Sequence, residues 1–277
     1  KYFKINMKKI IDCITYFDED MLLDFRLNIL NDYVDYFVIV EAKEDHQGKK
    51  KNLNFNIENF KQYKDKIIYL IQEEIIIDKN IKLPKNWSKD HLRDQSQRNY
   101  ISNALKKFDD NDWIIISDLD EIPNPDSLNK FNPKNKFSVF KQKLFYYKFN
   151  LISKSNFWYG SRIIVKKYLK SPQWLRNFKV KKKLFNYFER GICVIDNGGW
   201  HFSYLKNPID IKKKIEAFAH SELNKEEYKN IENIKNSIQN GTDLYHRDIS
   251  FNKISINKDF PKYLVENLDK YKDWIIE

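Results

Sequence analysis

The sequence predicts a mixed α/β fold built on a mostly parallel central sheet. Three observations carry this. The chain opens strand–helix–strand, the order that starts a parallel sheet. A later apolar run, Trp113 to Ile116, ends abruptly in Asp118, Asp120 and Glu121 within W-I-I-I-S-D-L-D-E-I-P. A β-branched run of that length with a polar boundary reads as a buried strand. Beyond it, the composition turns to aromatic-rich β-structure. With 277 residues and no internal repeat or low-complexity linker, a single domain is the simplest division.

The elements follow in order. Ile10 to Phe17 is the first strand. Asp18, Glu19 and Asp20 suit a helix start, and Met21 to Leu30 carries apolar residues at helical spacing. Tyr36 to Val40 is the second strand, ending at Glu41. A Lys-rich loop, Glu44 to Asn56, precedes a third strand at Ile67 to Ile71. After Pro84 and Trp87, Asp90 to Phe108 has the spacing of a helix, which delivers the chain to the W-I-I-I strand. A helix is expected near Pro125. Phe137 to Phe149, Trp158 to Val165, Gly191 to Ile195 and the strand bearing Trp200-His201-Phe202 form the β-rich half. Ile209 to Ala219, Lys225 to Gln239 and Lys262 to Ile275 read as helices, with Gly241 a stop signal.

Composition weighs against several function classes, a nucleic-acid-binding module among them. The net charge is +11, yet Lys outnumbers Arg and is spread along the chain, and no nucleic-acid-binding motif accompanies it. Two cysteines, Cys13 and Cys193, lie in apolar runs and make no disulfide framework. No stretch approaches the roughly 18 apolar residues of a membrane span. Lys1 to Lys9 is not followed by the apolar core of a signal peptide. The first Met is Met7, which fits either a native start or an excised domain.

Four groups of residues can carry chemistry. At the C-terminal end of a sheet strand, where ligands bind, alternation along an extended chain would put Asp118 and Asp120 on one side. Two hard oxygen donors at that spacing can share one divalent cation, whose shell substrate phosphates and water then complete. Glycosyl transfer from a sugar nucleotide uses such a cation to stabilise the departing diphosphate. An acidic turn capping the next helix is the competing reading. His201, after Gly198-Gly199, could add an imidazole ligand or be structural among its aromatic neighbours. His46, Gly48, Lys49 and Lys51 could approach a phosphate or a base, or form a solvated loop. Arg98 with Asn99 suits bidentate anion contacts or a surface pair.

The strings I-D-C-I-T-Y-F-D-E-D, F-V-I-V-E-A-K-E-D-H-Q-G-K-K-K-N-L, R-D-Q-S-Q-R-N-Y-I, I-S-D-L-D-E-I-P and G-G-W-H-F-S-Y-L, with the ending F-P-K-Y-L-V-E-N-L-D-K-Y, occur in that order. Together they resemble glycosyltransferase family 17, the family of the bisecting-GlcNAc transferases, from about Lys9 to the C-terminus. The sequence departs from the family pattern at Asp45, Lys50 and Asn52, where Thr and two prolines are expected. The resemblance implies a GT-A fold with a Rossmann-like nucleotide-sugar half, residues 1–123, and a mixed acceptor half, residues 124–277. It implies a UDP-sugar donor, typically UDP-GlcNAc, a divalent metal such as Mn²⁺ or Mg²⁺, a glycan acceptor and inversion at the anomeric carbon. Carried over by position, Asp118, Asp120 and His201 are metal ligands, with Asp118 also on the donor side. Glu41, His46, Lys51 and Arg98 are donor-binding residues.

Inversion also needs a base opposite the leaving group. Asp196 is the preferred candidate, Glu189 the alternative, and Asp248 is a further acid in a later loop. Trp158, Tyr159, Trp174 and Trp200 are candidates to stack on sugar rings, with core packing as their other fate. A nucleotide-sugar or glycan-binding protein without turnover is the second functional reading. Without a span in the sequence, the expectation is a cytoplasmic enzyme of bacterial or viral type, which the composition favours, or a luminal domain cut from a Golgi membrane protein.

Overall fold

The computed structural model describes residues 8–75, 77, 89–180, 192–217 and 223–276. β1 (Ile10–Thr15) is flanked by β2 (Tyr36–Ala42) and β4 (Trp113–Ser117), with β3 (Ile67–Gln72) beyond β2, and all four are parallel. Cys13 lies opposite Val38 on one side and Ile116 on the other. Strands covered on both faces need no polar side, which explains their largely apolar runs, interrupted in β1 by Asp12. Alternation divides them between two cores. Ile11, Cys13, Val38, Ile114 and Ile116 meet one core, with Ile101, which joins α2 (Lys89–Tyr100) to α3 (Ser102–Leu105), and Ala104 and Leu105 of α3. Ile14, Phe37 and Ile39 meet the other, filled by Leu23, Phe25 and Leu27 of α1 (Asp20–Leu30).

The chain leaves β1 toward β2 and β3, then returns on the far side of β1 to form β4. That reversal parts the loops after β1 and β4, and ligands bind in such a crevice in open α/β sheets. The sheet continues as β4-β7-β6-β9-β5. β7 (Leu151–Val165) runs antiparallel to β4, and β6 (Phe137–Tyr146) antiparallel to β7. β8 (Ile192–Ile195) and β9 (Gly199–Ser203) both pair parallel with β6. The three-residue β5 (Glu121–Pro123) returns antiparallel along β9, and β10 (Asn252–Lys253) adds to β7. Gly199 lets β5 and β9 approach closely. Its φ is +124°, and a Cβ there would lie 2.1 Å from the Ile122 carbonyl oxygen.

Several elements depart from expectation. The helix near Pro125 is one turn, α4 (Pro125–Leu128), because β5 occupies the segment before it. β7 begins at Leu151, seven residues earlier than predicted. The next helices are α5 (Pro172–Arg176) and α6 (Pro208–Ala217). The helix predicted over 225–239 is broken into α7 (Glu226–Lys229) and α8 (Ile231–Asn240). Asn230 is extended, and its side chain accepts from the backbone N–H of Glu232 and Asn233, so it caps a new helix rather than continuing the old one. The predicted terminal helix is a short α9 (Lys262–Glu266) followed by a 3₁₀ segment, Leu268–Trp274, with Asn267 non-helical between them. Pro84, Trp87, Ala219, Glu189 and Gly191 lie outside the described residues. Among the described residues, no helix is long and apolar enough to cross a membrane.

Candidate active site

A cavity of about 630 Å³ opens where the loops after β1 and β4 part. Thr15, Tyr16 and Phe17 line it from β1, and Asp118, Leu119 and Asp120 from β4. The acids are not arrayed by strand alternation. Glu121 N–H donates to the Asp118 carbonyl at 3.0 Å, so residues 118–121 form a tight turn. That corrects the extended-chain expectation, although both Asp side chains still reach the cavity.

The turn gives its acids different partners. Asp118 receives Arg98 on one oxygen at 3.0 Å and Arg176 on the other at 2.8 Å. Burial alone would raise its carboxyl, but Arg176 and Arg98 outweigh it and hold it well below the usual carboxylate range. Arg98 also pairs with Asp94 at 2.9 Å. Glu121 is fully buried and orders the turn. It accepts the Asp118 N–H at 2.9 Å, the Trp158 indole N–H at 2.6 Å and the Arg176 guanidinium at 2.6 Å.

Asp120 faces the other way. Pairing of β5 with β9 puts Glu121 opposite His201, and Phe202 N–H donates to the Asp120 carbonyl at 2.9 Å. His201 Nε2 thereby lies 3.5 Å from Asp120 Oδ1, and Lys214 Nζ of α6 lies 3.7 Å from Oδ2. Burial raises the Asp120 carboxyl, yet His201 and Lys214 leave it below its ordinary value. Burial would likewise lower the Lys214 ammonium, but Asp120 and Glu19 raise it above the ordinary value. The Trp158 ring lies against His201, with centroids 4.7 Å apart.

Among the described residues, no three His, Cys, Asp or Glu side chains gather as a metal site. Asp118 gives its oxygens to arginine, and Asp120 and His201 form a pair. That pair fits a divalent cation in kind. It offers a carboxylate oxygen and a buried imidazole, and His201 Nδ1 has no hydrogen-bond partner.

The other predicted residues divide. His46, Lys51 and Arg98 line the cavity. His46 Nε2 lies 3.1 Å from Gln97 Oε1, and Gln97 in turn donates to the Val40 carbonyl at 3.1 Å, tying the loop to helix α2 and the end of β2. Glu41 does not line the cavity. Fully buried, it accepts from Asn54 N–H, Phe55 N–H, Tyr69 Oη and Lys51 Nζ, and so anchors the Lys-rich loop from beneath. Gly48 is packed on the Arg93 guanidinium. Asp196 is misplaced for a base: its side chain is 75% exposed, pairs with Lys141 at 3.3 Å and does not line the cavity. The β8–β9 turn carries it outward, so closeness to His201 in sequence does not become closeness in space. Asp248 is exposed and also off the cavity wall. Of the candidate stacking residues, Trp158 lines the cavity, whereas Tyr159, Trp174 and Trp200 pack in the cores.

Sequence reasoning missed Arg176, Lys214 and a wall formed by Tyr146, Tyr204 and Tyr245. Arg176 had a local signal. Ser171 caps α5 through the Trp174 N–H, with Pro172 in its first turn, and this fixes a short helix that ends in the arginine. The tyrosines had none, but their surroundings are strained. Tyr147, Tyr204 and His246 adopt φ of 63°, 52° and 55°, and such backbone concentrates at functional sites.

Comparisons with known proteins complete the site's description. No curated protein matches the chain. Among solved structures, the inositol-1-phosphate CTP transferase from T. maritima covers 98% of this chain and 98% of its own, at 11% identity and a TM-score of 0.36, a likeness that carries no argument. The family profile described as glycosyltransferase family 17 matches residues 2–275, a span that includes every residue lining the cavity, and the chain belongs to that family.

Proposed function

We propose that the protein is a metal-dependent, inverting glycosyltransferase of GT-A architecture. It moves a sugar, GlcNAc by the family resemblance, from a UDP donor to a glycan hydroxyl. The observation that carries this reading is the meeting of the acidic turn, His201, Arg98 and Arg176 in one cavity at the sheet's switch point. Phe17, His46, Lys51 and Gln97 form the nucleotide end, and Tyr146, Tyr204 and Tyr245 the acceptor end. Arg98 and Arg176 are placed to turn from Asp118 to the diphosphate, whose oxygens match a guanidinium fork. Asp120 and His201 would hold the cation, with Asp118 joining them once the arginines engage phosphate. When bound, the cation neutralises charge developing on the departing diphosphate.

Glu19 replaces Asp196 as the base in this reading. It lines the cavity near Asp120, and its Oε2 accepts the backbone N–H groups of Asp18 at 3.1 Å and Phe17 at 3.3 Å, which orients the carboxylate. Burial raises this carboxyl, but Lys206 and Lys214 bring it below its ordinary value, so it stands ionised to accept the acceptor's proton. Glu19→Gln is expected to lower transfer about 10²–10⁴-fold, the usual range for a lost general base, with UDP affinity kept. Retained transfer would move the role to another carboxylate.

The reading as a whole is tested by mixing UDP-GlcNAc, Mn²⁺ and a panel of glycans and following UDP release. Release that requires acceptor and stops in excess chelator is expected. Donor binding without any release, across UDP-sugars and acceptors, would leave a binding protein instead.

A further inference from the structure

Lys214 lies between acids that the proposed mechanism needs for other purposes. Its Nζ is 3.7 Å from Asp120 Oδ2 and 3.8 Å from Glu19 Oε1, and its ammonium sits 5.4 Å from the centre of the Tyr204 ring. The side chain is 19% exposed and comes from α6, outside the strands and turn that carry the acids. Lys206 shares Glu19 at 3.7 Å and also pairs with Asp18, so among the described residues Lys214 is the lysine paired with Asp120. Asp120 is also faced by the His201 ring, whose Nε2 lies 3.5 Å from Oδ1, and by the carboxylates of Asp118, across the turn, and Glu19.

A divalent cation bound to Asp120 would meet this ammonium at close range, and like charges in a partly buried site repel strongly. Lysine is a point charge on a flexible four-carbon stem, so it can exchange one anionic partner for another. Resting on the metal reading of Asp120, we infer that Lys214 is a resident cation that competes with the divalent metal for this carboxylate. It releases Asp120 when a nucleoside diphosphate offers it phosphate oxygens. Metal and nucleotide then bind together: each raises the other's affinity, as linkage demands.

The test measures Mn²⁺ binding by the EPR signal of the free aqueous ion, with and without UDP. Without nucleotide, K214M is expected to bind Mn²⁺ roughly tenfold more tightly than wild type, a typical size for coupling between two sites. K214R is expected to resemble wild type. UDP should tighten Mn²⁺ binding more in wild type than in K214M. Adding D120N to K214M should erase the gain. Unchanged or weaker Mn²⁺ binding in K214M, a gain that survives D120N, or an equal effect of UDP on both proteins would each overturn the inference. K214Q gives the same comparison should K214M fail to fold. The nucleotide-free measurement involves no sugar transfer, so it can fail while UDP release succeeds, and the reverse.

Discussion

Asp120→Ala is expected to lower UDP-sugar turnover by about 10²–10³-fold, the loss seen when one preorganised contact to developing negative charge is removed. The expectation rests on where the turn places this acid. Asp120 is the carboxylate beside His201, and its oxygens are not taken up by arginine. Asp118, in contrast, already neutralises Arg98 and Arg176. Removing Asp120 leaves Lys214 paired to Glu19 at 3.8 Å, and the turn's hold on β9 runs through the Asp120 backbone carbonyl, which alanine keeps. The variant should therefore fold, and its circular-dichroism melt should stay close to wild type. Steady-state UDP release over a range of Mn²⁺ concentrations is the measurement. Turnover near the wild-type level at saturating Mn²⁺ would remove Asp120 from the site.

The parts of this arrangement differ in how far the sequence exposed them. β1, β2 and β4 were legible because strands covered on both faces are rich in apolar, β-branched residues with no alternating polar side. The acids at the end of β4 were legible because polarity changes abruptly after Ile116, through Ser117 to Asp118. His201 stood out through the glycines before it, and Gly199 is required there by the approach of Ile122. The pairing of these pieces was not legible. Lys214 reads as one of several lysines on a polar helix, and only the packing of α6 against the cavity turns it inward. Asp196 and Lys214 illustrate the same limit from opposite sides. One is near His201 in sequence and points to solvent; the other is 13 residues away and lies against the acidic turn. Breaks in helices were missed where one Asn decided the outcome. Asn230 satisfies two backbone donors with its side chain, and that local bond competes with helical continuation.

The second large effect concerns stability. Asp12 on β1 and Arg26 on α1 are both wholly inaccessible to solvent. They form a two-pronged pair, Nε to Oδ2 at 2.7 Å and Nη2 to Oδ1 at 2.6 Å. The remaining nitrogen, Nη1, donates to the carbonyls of Glu121 at 2.7 Å, Leu119 at 3.3 Å and Asp118 at 3.4 Å. One arginine therefore joins the central strand and the first helix to the backbone of the acidic turn. Arg26→Leu would leave the Asp12 carboxylate and these carbonyls buried without the donor. Breaking a buried pair from one side costs about 3–5 kcal/mol, because the surviving charge has no compensation. A urea titration should show a loss of that size in the free energy of unfolding; a loss below about 1 kcal/mol, the scale of a surface pair, would mean the pair is not buried as described. Replacing both partners with apolar residues removes the stranded charge, so Asp12→Leu with Arg26→Leu should regain much of the stability. It should not regain turnover. The carbonyls of residues 118, 119 and 121 would still lack the guanidinium that fixes the turn carrying Asp118 and Asp120. Stability and activity that recover together in the double variant would show that Arg26 supports the fold alone; stability without activity would identify it as the residue that positions the acidic turn.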